Sequence, residues 1–479
     1  MNFQIISYII GWVIFLEGSF MILPLLTAIV YGERTGVIFA VCSVACLIGG
    51  YIMMRKKPKN SLFFAREGFV TVALSWIVLS IIGALPFYIS GEIPNFIDAV
   101  FETVSGFTTT GASILSDVEA LSKCLLFWRS FTHWIGGMGV LVFILTILPL
   151  AGGQTIHLMR AESPGPSIGK FAPKMKKTAF ILYAIYFVMT IIEFLVLAAG
   201  NMPIFDAICI TFGSAGTGGF GILNDSMASY GAYVQMVTAL FMFLFAINFS
   251  FYYVLLFGRV RDAFKIEEVQ CYFFIMIIAV ALITINLHLV DGNFWYHLKH
   301  AIFQVSSLMT STGFSTVNFS EWPQFSRTVL VIIMCIGACA GSTGGGIKVS
   351  RVIIYIKTVG KELSYLIHPR SVKVLKMDGK IIPHEELRSV NIFLITYVLI
   401  LGISVLIIGF DEYDLTTNFT AVVATINNTG PGLDLVGPAG NFSIFSPLSK
   451  IVLMFDMLAG RLEIFPLLLL FSPGAWKKN

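Results

Sequence analysis

Long apolar runs recur along the whole chain, separated by short polar stretches. Many reach the roughly 20 residues needed to cross a bilayer as a helix. The pattern predicts ten spanning helices, at about 5–31, 36–54, 68–90, 124–150, 178–200, 231–257, 271–290, 327–356, 389–410 and 446–472. The first run has neither a basic head nor a small-residue cleavage pattern and reads as a retained helix. A second pattern lies over the first. Helices three to ten fall into four pairs, and between the members of each pair comes an outward segment of about 30 residues. Each segment holds a short amphipathic run: FIDAVFETVSGF from Phe96, FDAICITFGSA from Phe205, LKHAIFQVSSLM from Leu298 and LTTNFTAVVATI from Leu415. A Thr-Gly turn follows each, at Thr110-Gly111, Thr217-Gly218, Thr312-Gly313 and Thr429-Gly430, spaced by 107, 95 and 117 residues. Identity between the copies is thin, and it is the recurring order of elements that identifies a fourfold repeat. The predicted architecture is an all-α polytopic membrane protein of ten transmembrane helices, the last eight forming four helix–pore helix–helix repeats around a central pore. Its boundaries are 1–66 for two N-terminal helices, then 67–177, 178–270, 271–388 and 389–479 for repeats one to four.

Composition agrees with this pattern. Of the 479 residues 57% are hydrophobic and 12% charged, half the charge that a soluble chain carries, about 25%. The 31 lysines and arginines are unevenly spread: 24 lie in 55–66, 151–177, 258–270, 348–388 and 477–478. Those segments alternate with base-poor ones along the ladder of spans, which assigns them and both termini to the cytoplasm. The opposite connections carry 14 acids against six bases. That imbalance either solubilises the outer face or concentrates cations there. Seven scattered cysteines and seven unclustered histidines make no disulfide framework and no metal site. No paired carboxylates, nucleophile–base set or phosphate loop argues for an enzyme, and nothing points to nucleic acid.

A polar turn at membrane depth is tolerated only where it packs against protein or lines a water-filled path. A short helix re-entering from outside aims its C-terminal end, with about half a negative charge, at the membrane centre. Four such ends favour a cation, and the turns offer carbonyl oxygens in place of its hydration shell. Glycine lets the backbone take the required conformation, and threonine hydroxyls can brace it. The candidate K⁺ filter is Thr109, Thr110 and Gly111; Thr217 and Gly218; Thr312 and Gly313; and Asn428, Thr429 and Gly430. The eighth helix is interrupted by GACAGSTGGGIK, with five glycines between Gly337 and Gly346. It is not a nucleotide-binding loop, because Val349 follows Lys348 and no strand precedes it. Close packing through small residues and a flexible loop are both open, and glycine at about 1 kcal/mol each against helix favours the loop. Arg461 sits inside the last span, where an arginine costs ~2.5–3.5 kcal/mol on insertion scales. It either pairs with Asp456 or Glu463, or bonds freed carbonyls, or stands as a charge beside the ion path. Glu17 and Glu193 are expected to make structural hydrogen bonds.

These residues resemble the Trk/Ktr/HKT superfamily of potassium transporters, most of all its TrkH branch. ETVSGFTTTGAS from Glu102 and NNTGPGL from Asn427 are similar to the family's first and fourth filter sequences, GTGGFG from Gly216 and TSTGFST from Thr310 to the second and third. GSTGGGIKVSR from Gly341 resembles the signature of the third unit's inner helix. The resemblance covers 68–472 and implies several things. Gly111, Gly218, Gly313 and Gly430 would line one narrow passage, and glycine at the first position goes with K⁺. The 337–348 loop would gate it from below through Gly344, Gly345, Gly346 and Lys348, with Arg461 as a positive barrier. The chain would act in a bacterial inner membrane as a homodimer docked on a cytosolic nucleotide-binding (TrkA-like) regulatory ring, with membrane lipid around it and no organic cofactor of its own. K⁺ uptake is the implied function; a Na⁺-permeable or Na⁺/H⁺-coupled K⁺ transporter of the same fold is the alternative.

Overall fold

A computed structural model of the chain describes residues 1–56, 65–139, 175–256, 258–370 and 373–477. The inner half of the predicted fourth helix and the connection after it, 140–174, lie outside the described residues. Helices α1 (Phe3–Phe20) and α2 (Ile22–Tyr31) make one apolar span hitched at Met21, followed by α3 (Gly36–Met54) and α4 (Ala65–Ser90). Next come α5 (Phe96–Phe107), α6 (Lys123–Met138), α7 (Met175–Ala199), α8 (Ile204–Ala215), α9 (Ala232–Phe245), α10 (Phe249–Leu256) and the single turn α11 (Val260–Ala263). The rest are α12 (Glu267–Asp291), α13 (Phe294–Met309), α14 (Gln324–Ile336), α15 (Val349–Ile367), α16 (His384–Ile408), α17 (Leu415–Ile426), α18 (Pro447–Arg461), α19 (Phe465–Leu470) and the single turn α20 (Pro473–Trp476). A two-stranded hairpin, β1 (Lys376–Met377) and β2 (Lys380–Ile381), precedes α16.

The chain is a helical, polytopic protein. Among the described residues six segments are long and apolar enough to cross a membrane: Phe3–Tyr31, Gly36–Met54, Ala65–Ser90, Ala179–Ala199, Glu267–Asp291 and His384–Asp411. Their large apolar side chains, Val30, Ile191, Ile277 and Leu406 among them, point outward, as a lipid-facing surface requires. Small residues set the close approach of the first spans. A Cβ on Gly50 would stand 2.7 Å from both the Gly11 carbonyl oxygen and the Phe15 nitrogen, and Ser43 Oγ donates to the Gly18 carbonyl across 2.6 Å.

Three of the predicted spans are broken, the eighth where the sequence places a loop. Helix α9 turns by 88° into α10. The Asn248 side chain accepts from Ser250 N at 2.8 Å, an N-cap that starts a new helix. The predicted eighth helix stops at Ile336 and resumes at Val349, leaving 337–348 without helix, which is the loop reading. The tenth stops at Arg461, and Glu463 and Ile464 take left-handed φ of 55° and 69° before Pro466 opens α19, proline being suited to a first helical turn. Four short helices, α5, α8, α13 and α17, begin near the surface and end in the buried interior. Asn95 and Asp414 cap two of them by accepting from Ile97 N and Thr416 N, each at 2.9 Å.

Overpacking a close helix contact costs about 1–3 kcal/mol. Gly50→Val, which drives a side chain into the α1 backbone, should therefore lower the melting temperature in detergent by several degrees, read by thermal aggregation. Val30→Ala on the outward face should leave it unchanged.

Candidate functional site

The four short helices end in the same backbone motif. Two residues past each helix the chain passes one left-handed residue and, two later, one glycine of positive φ. These are Thr109 and Gly111 (55°, 81°), Thr217 and Gly219 (53°, 74°), Ser311 and Gly313 (59°, 91°), and Asn428 and Gly430 (52°, 92°). Between them stand Thr110, Gly218, Thr312 and Thr429. Their N–H groups donate back to the short helix five residues earlier, to the carbonyls of Ser105, Gly213, Ser307 and Ala424, at 2.8–2.9 Å. With the N–H groups satisfied in this way, the carbonyls are turned toward the neighbouring segment. A Cβ on Gly111 would meet the Gly218 oxygen, one on Gly219 the Thr312 oxygen, one on Gly313 the Thr429 oxygen, and one on Gly430 the Thr110 oxygen at 2.7 Å. The four turns thus meet in cyclic order, each glycine facing an equivalent carbonyl of another segment. All four glycines line one cavity of about 100 Å³, with Ser113, Ser315 and Asn441 on its wall.

This corrects the register of the second turn. The repeat pattern aligns Thr217-Gly218 with Thr110-Gly111, but Gly219 takes the positive φ and Gly218 corresponds to Thr110. Two adjacent glycines left the alignment open. The Gly-Phe pair shared by Gly219-Phe220 and Gly313-Phe314 is the signal that resolves it. Gly218 is glycine for another reason: a Cβ there would run into the His133 ring.

Behind the turns lies a polar shell that the sequence pattern did not disclose. Glu102 is one of the 14 acids and Arg129 one of the six bases that the charge pattern assigns to the outer connections, yet both are buried and paired at 2.6 Å. Glu102 also accepts from Ser113 Oγ at 2.9 Å and Ile114 N at 3.0 Å. Other outer acids serve the fold as well. Asp98 pairs with Lys450 at 2.6 Å, and Glu33 accepts from Lys123 N and Cys124 N at the start of α6. In the exposed loops Asn224 Nδ2 donates to Asp117 at 2.9 Å and holds that carboxyl below the usual range. Of the two acids expected to make structural hydrogen bonds, Glu193 accepts from Ser214 Oγ. Both oxygens of Glu17 are buried without a partner among the described residues.

Inward of the turns, 337–348 is packed against the ends of α13 and α17. A Cβ on Gly344 would stand 2.7 Å from the Thr310 oxygen, and one on Gly345 would meet the Asn427 oxygen. Gly345 N donates to Ser311 Oγ, and Lys348 Nζ to the Gly344 carbonyl. Glu268 on α12 staples both ends of the loop, accepting from Ala340 N at 2.6 Å and Ser350 N at 3.2 Å. Gly346 has a φ of 81° and lies against Gly337. Arg461 reaches the same place. It donates to the Thr343 carbonyl at 2.9 Å, to those of Gly136 and Gly137 at the end of α6, and to Thr109 Oγ1 at 3.5 Å. Of the alternatives open for it, bonding to freed carbonyls is what the structure has, though the carbonyls belong to α6 and the loop, not to a short helix. Glu463 pairs with Arg351 at 2.7 Å, and Asp456 accepts from Ser404 Oγ at 2.8 Å.

Residues 35–478 match the family model of TrkH, described as a cation transport protein. The chain is 36% identical over 493 residues to the Trk system potassium uptake protein TrkH of Salmonella typhimurium, with all of both chains covered. It is 33% identical over 486 residues to the Trk system potassium uptake protein TrkG of Escherichia coli, with 99% of each covered. Its structure is similar to the crystal structure of the potassium transporter TrkH from Vibrio parahaemolyticus, with a TM-score of 0.89 and 33% identity over the whole of both chains. With a family model matched over residues 35–478 and a relative 36% identical over the whole of both chains, the chain belongs to the TrkH family of cation transport proteins.

Proposed function

We propose that the protein takes up K⁺ across a bacterial inner membrane through a gated, channel-like pore. The observation that carries this is the cyclic meeting of the four turns, each glycine against the carbonyl of Thr110, Gly218, Thr312 or Thr429. Carbonyls held this way can replace an alkali ion's water, and the nearby helix C-termini add partial negative charge. Potassium as the cargo is supported by the names of the full-length relatives and by glycine at position 111. In this reading Thr109, Thr110, Gly111, Thr217, Gly218, Gly219, Thr312, Gly313, Asn428, Thr429 and Gly430 form the filter.

The topology belongs to the same reading. The six long spans, with the four predicted spans that α6, α9, α14 and α18 begin, make ten crossings, and 67–177, 178–270, 271–388 and 389–479 are the four repeats. The Lys/Arg distribution supports cytoplasmic termini. The gate is 337–348, where Gly344, Gly345, Gly346 and Lys348 pack under the filter and Arg461 ties Thr343 to α6. Family resemblance and the relatives' place in a Trk system support a homodimer with a cytosolic nucleotide-binding, TrkA-like ring that moves this gate. The second reading is coupled transport. Glu17, Glu193 and Asp456 each have a buried oxygen without a partner among the described residues, and such carboxylates can carry protons.

Uptake of ⁸⁶Rb⁺ into proteoliposomes at a clamped potential tests the pore. A potential alone should drive it; a strict requirement for a proton or sodium gradient would favour coupling. Gly430→Ala introduces left-handed strain of about 1–2 kcal/mol and pushes a methyl at the Thr110 carbonyl. It should reduce uptake about tenfold or more at equal insertion, and normal uptake would contradict the filter. A positive charge near an ion path raises its barrier by about 1 to 4 kcal/mol at ~4 Å. Arg461→Ala, or deletion of part of 337–348, should therefore raise uptake several-fold. A folded variant that conducts no faster would contradict the gate.

A further inference from the structure

The second filter segment differs from the others in how it is held. In the first, Thr108 Oγ1 and Thr110 Oγ1 lie 2.8 Å apart. In the third, Thr310 Oγ1 and Thr312 Oγ1 lie 2.7 Å apart. Each hydroxyl pair clips the residue at the helix end to the residue whose carbonyl faces the preceding segment in the cycle. The fourth segment uses amides: Asn428 Nδ2 donates to Thr110 Oγ1 and to the Met457 carbonyl, both at 2.9 Å. In the second segment the two clip positions are Gly216 and Gly218, so no side chain can do this. Glycine-rich backbone is also the most mobile kind.

The space those side chains would fill is taken by α6. A Cβ on Gly218 would meet the His133 ring, a Cβ on Gly216 the His133 carbonyl oxygen, and Gly137 lies against Gly216 Cα. His133 is buried and uses both ring nitrogens. Nδ1 is 2.7 Å from the Gly106 carbonyl at the end of α5, and Phe220 N donates to Nε2 at 3.2 Å. A carbonyl only accepts and an amide N–H only donates. The ring is therefore neutral with its proton on Nδ1. One turn earlier on the same face, Arg129 Nη1 donates to the Gly221 carbonyl at 2.7 Å. Its guanidinium lies 3.6 Å from the Phe220 ring centroid, and Glu102 of α5 neutralises it at 2.6 Å.

We propose that His133, backed by Arg129 and Glu102, is the positioning residue of the second filter segment. It supplies from a neighbouring helix the clip that hydroxyls supply within the first and third, and so sets discrimination between K⁺ and the smaller Na⁺. The inference rests on the pore proposed above. Its physical content is that selectivity depends on how firmly the carbonyl of Gly218 is kept from moving inward. His133→Leu keeps bulk in the space but loses both bonds. His133→Gln can donate to Gly106 and accept from Phe220, and is the conservative variant.

The experiment is ⁸⁶Rb⁺ uptake into proteoliposomes of wild type and both variants, titrated with Na⁺, with detergent melting curves to show folding. His133→Leu should let Na⁺ compete at about tenfold lower concentration and raise KM for Rb⁺, with maximal rate kept within about twofold. His133→Gln should recover most of the discrimination. A merely structural role would lower the amount of active protein without moving the Na⁺ competition. If His133→Leu does not fold, Arg129→Lys is measured instead: it keeps a charge beside Glu102, drops the bond to the Gly221 carbonyl, and carries the same expected shift. Conducting wild type with unchanged ion discrimination in the folded variant overturns this inference alone. Wild type that passes no Rb⁺ overturns the pore, and this inference with it.

Discussion

A polypeptide that leaves its helix inside a bilayer must satisfy its own backbone, because lipid offers no hydrogen bonds. Four times this chain meets that demand in one way. The N–H of Thr110, Gly218, Thr312 or Thr429 folds back on the helix that precedes it, and the carbonyl is left facing a neighbouring segment. The left-handed residues Thr109, Thr217, Ser311 and Asn428 are the local strain this requires, and non-glycine residues hold such φ only when their surroundings enforce it. The buried shell of Glu102, Arg129, His133 and Ser307 is that enforcement. Ser307 alone accepts from Thr312 N through its carbonyl and donates from its hydroxyl to the Phe314 carbonyl at 2.6 Å.

The same demand explains the inner half of the molecule. Helix α6 ends at Met138, α9 at a sharp bend, α14 at the 337–348 loop and α18 at Arg461. Each break frees carbonyls near the centre of the protein. Arg461 answers those of Gly136, Gly137 and Thr343, so a charge that is costly in lipid here satisfies backbone from two elements. Glu268 does the complementary work, accepting the loop's freed N–H groups at Ala340 and Ser350. Ser311 Oγ adds a third point by accepting from Gly345 N, so discrete side-chain bonds from several elements hold 337–348 in place of a helical ladder.

Much of this was legible in the sequence because apolar length and repeat order survive divergence. The long spans, the four short helices, the turns at Gly111, Gly313 and Gly430 and the break after Ile336 all follow from run length, glycine placement and period. The register of the second turn does not, since Gly218 and Gly219 fit the Thr-Gly pattern equally and only the Phe220 that follows, matched to Phe314, separates them. The bend at Asn248 was hidden because an N-cap inside an apolar run looks like one tolerated polar residue. Glu102 reads as an outer acid because it lies in the connection between two predicted spans, and Arg129 as an outer base because it lies near the start of the fourth. Partnership between them is a tertiary fact, set by α5 packing on α6, with no local signature.

The central claim is that equivalent carbonyls of four segments surround one ion path, and it is tested most directly by anomalous diffraction from crystals of the protein grown in Rb⁺ or Tl⁺. Anomalous density on the axis among the carbonyls of Thr110, Gly218, Thr312 and Thr429, lost on exchange into Na⁺, is the predicted result. Density that lies elsewhere, or an axis closed by side chains in every salt, would contradict it.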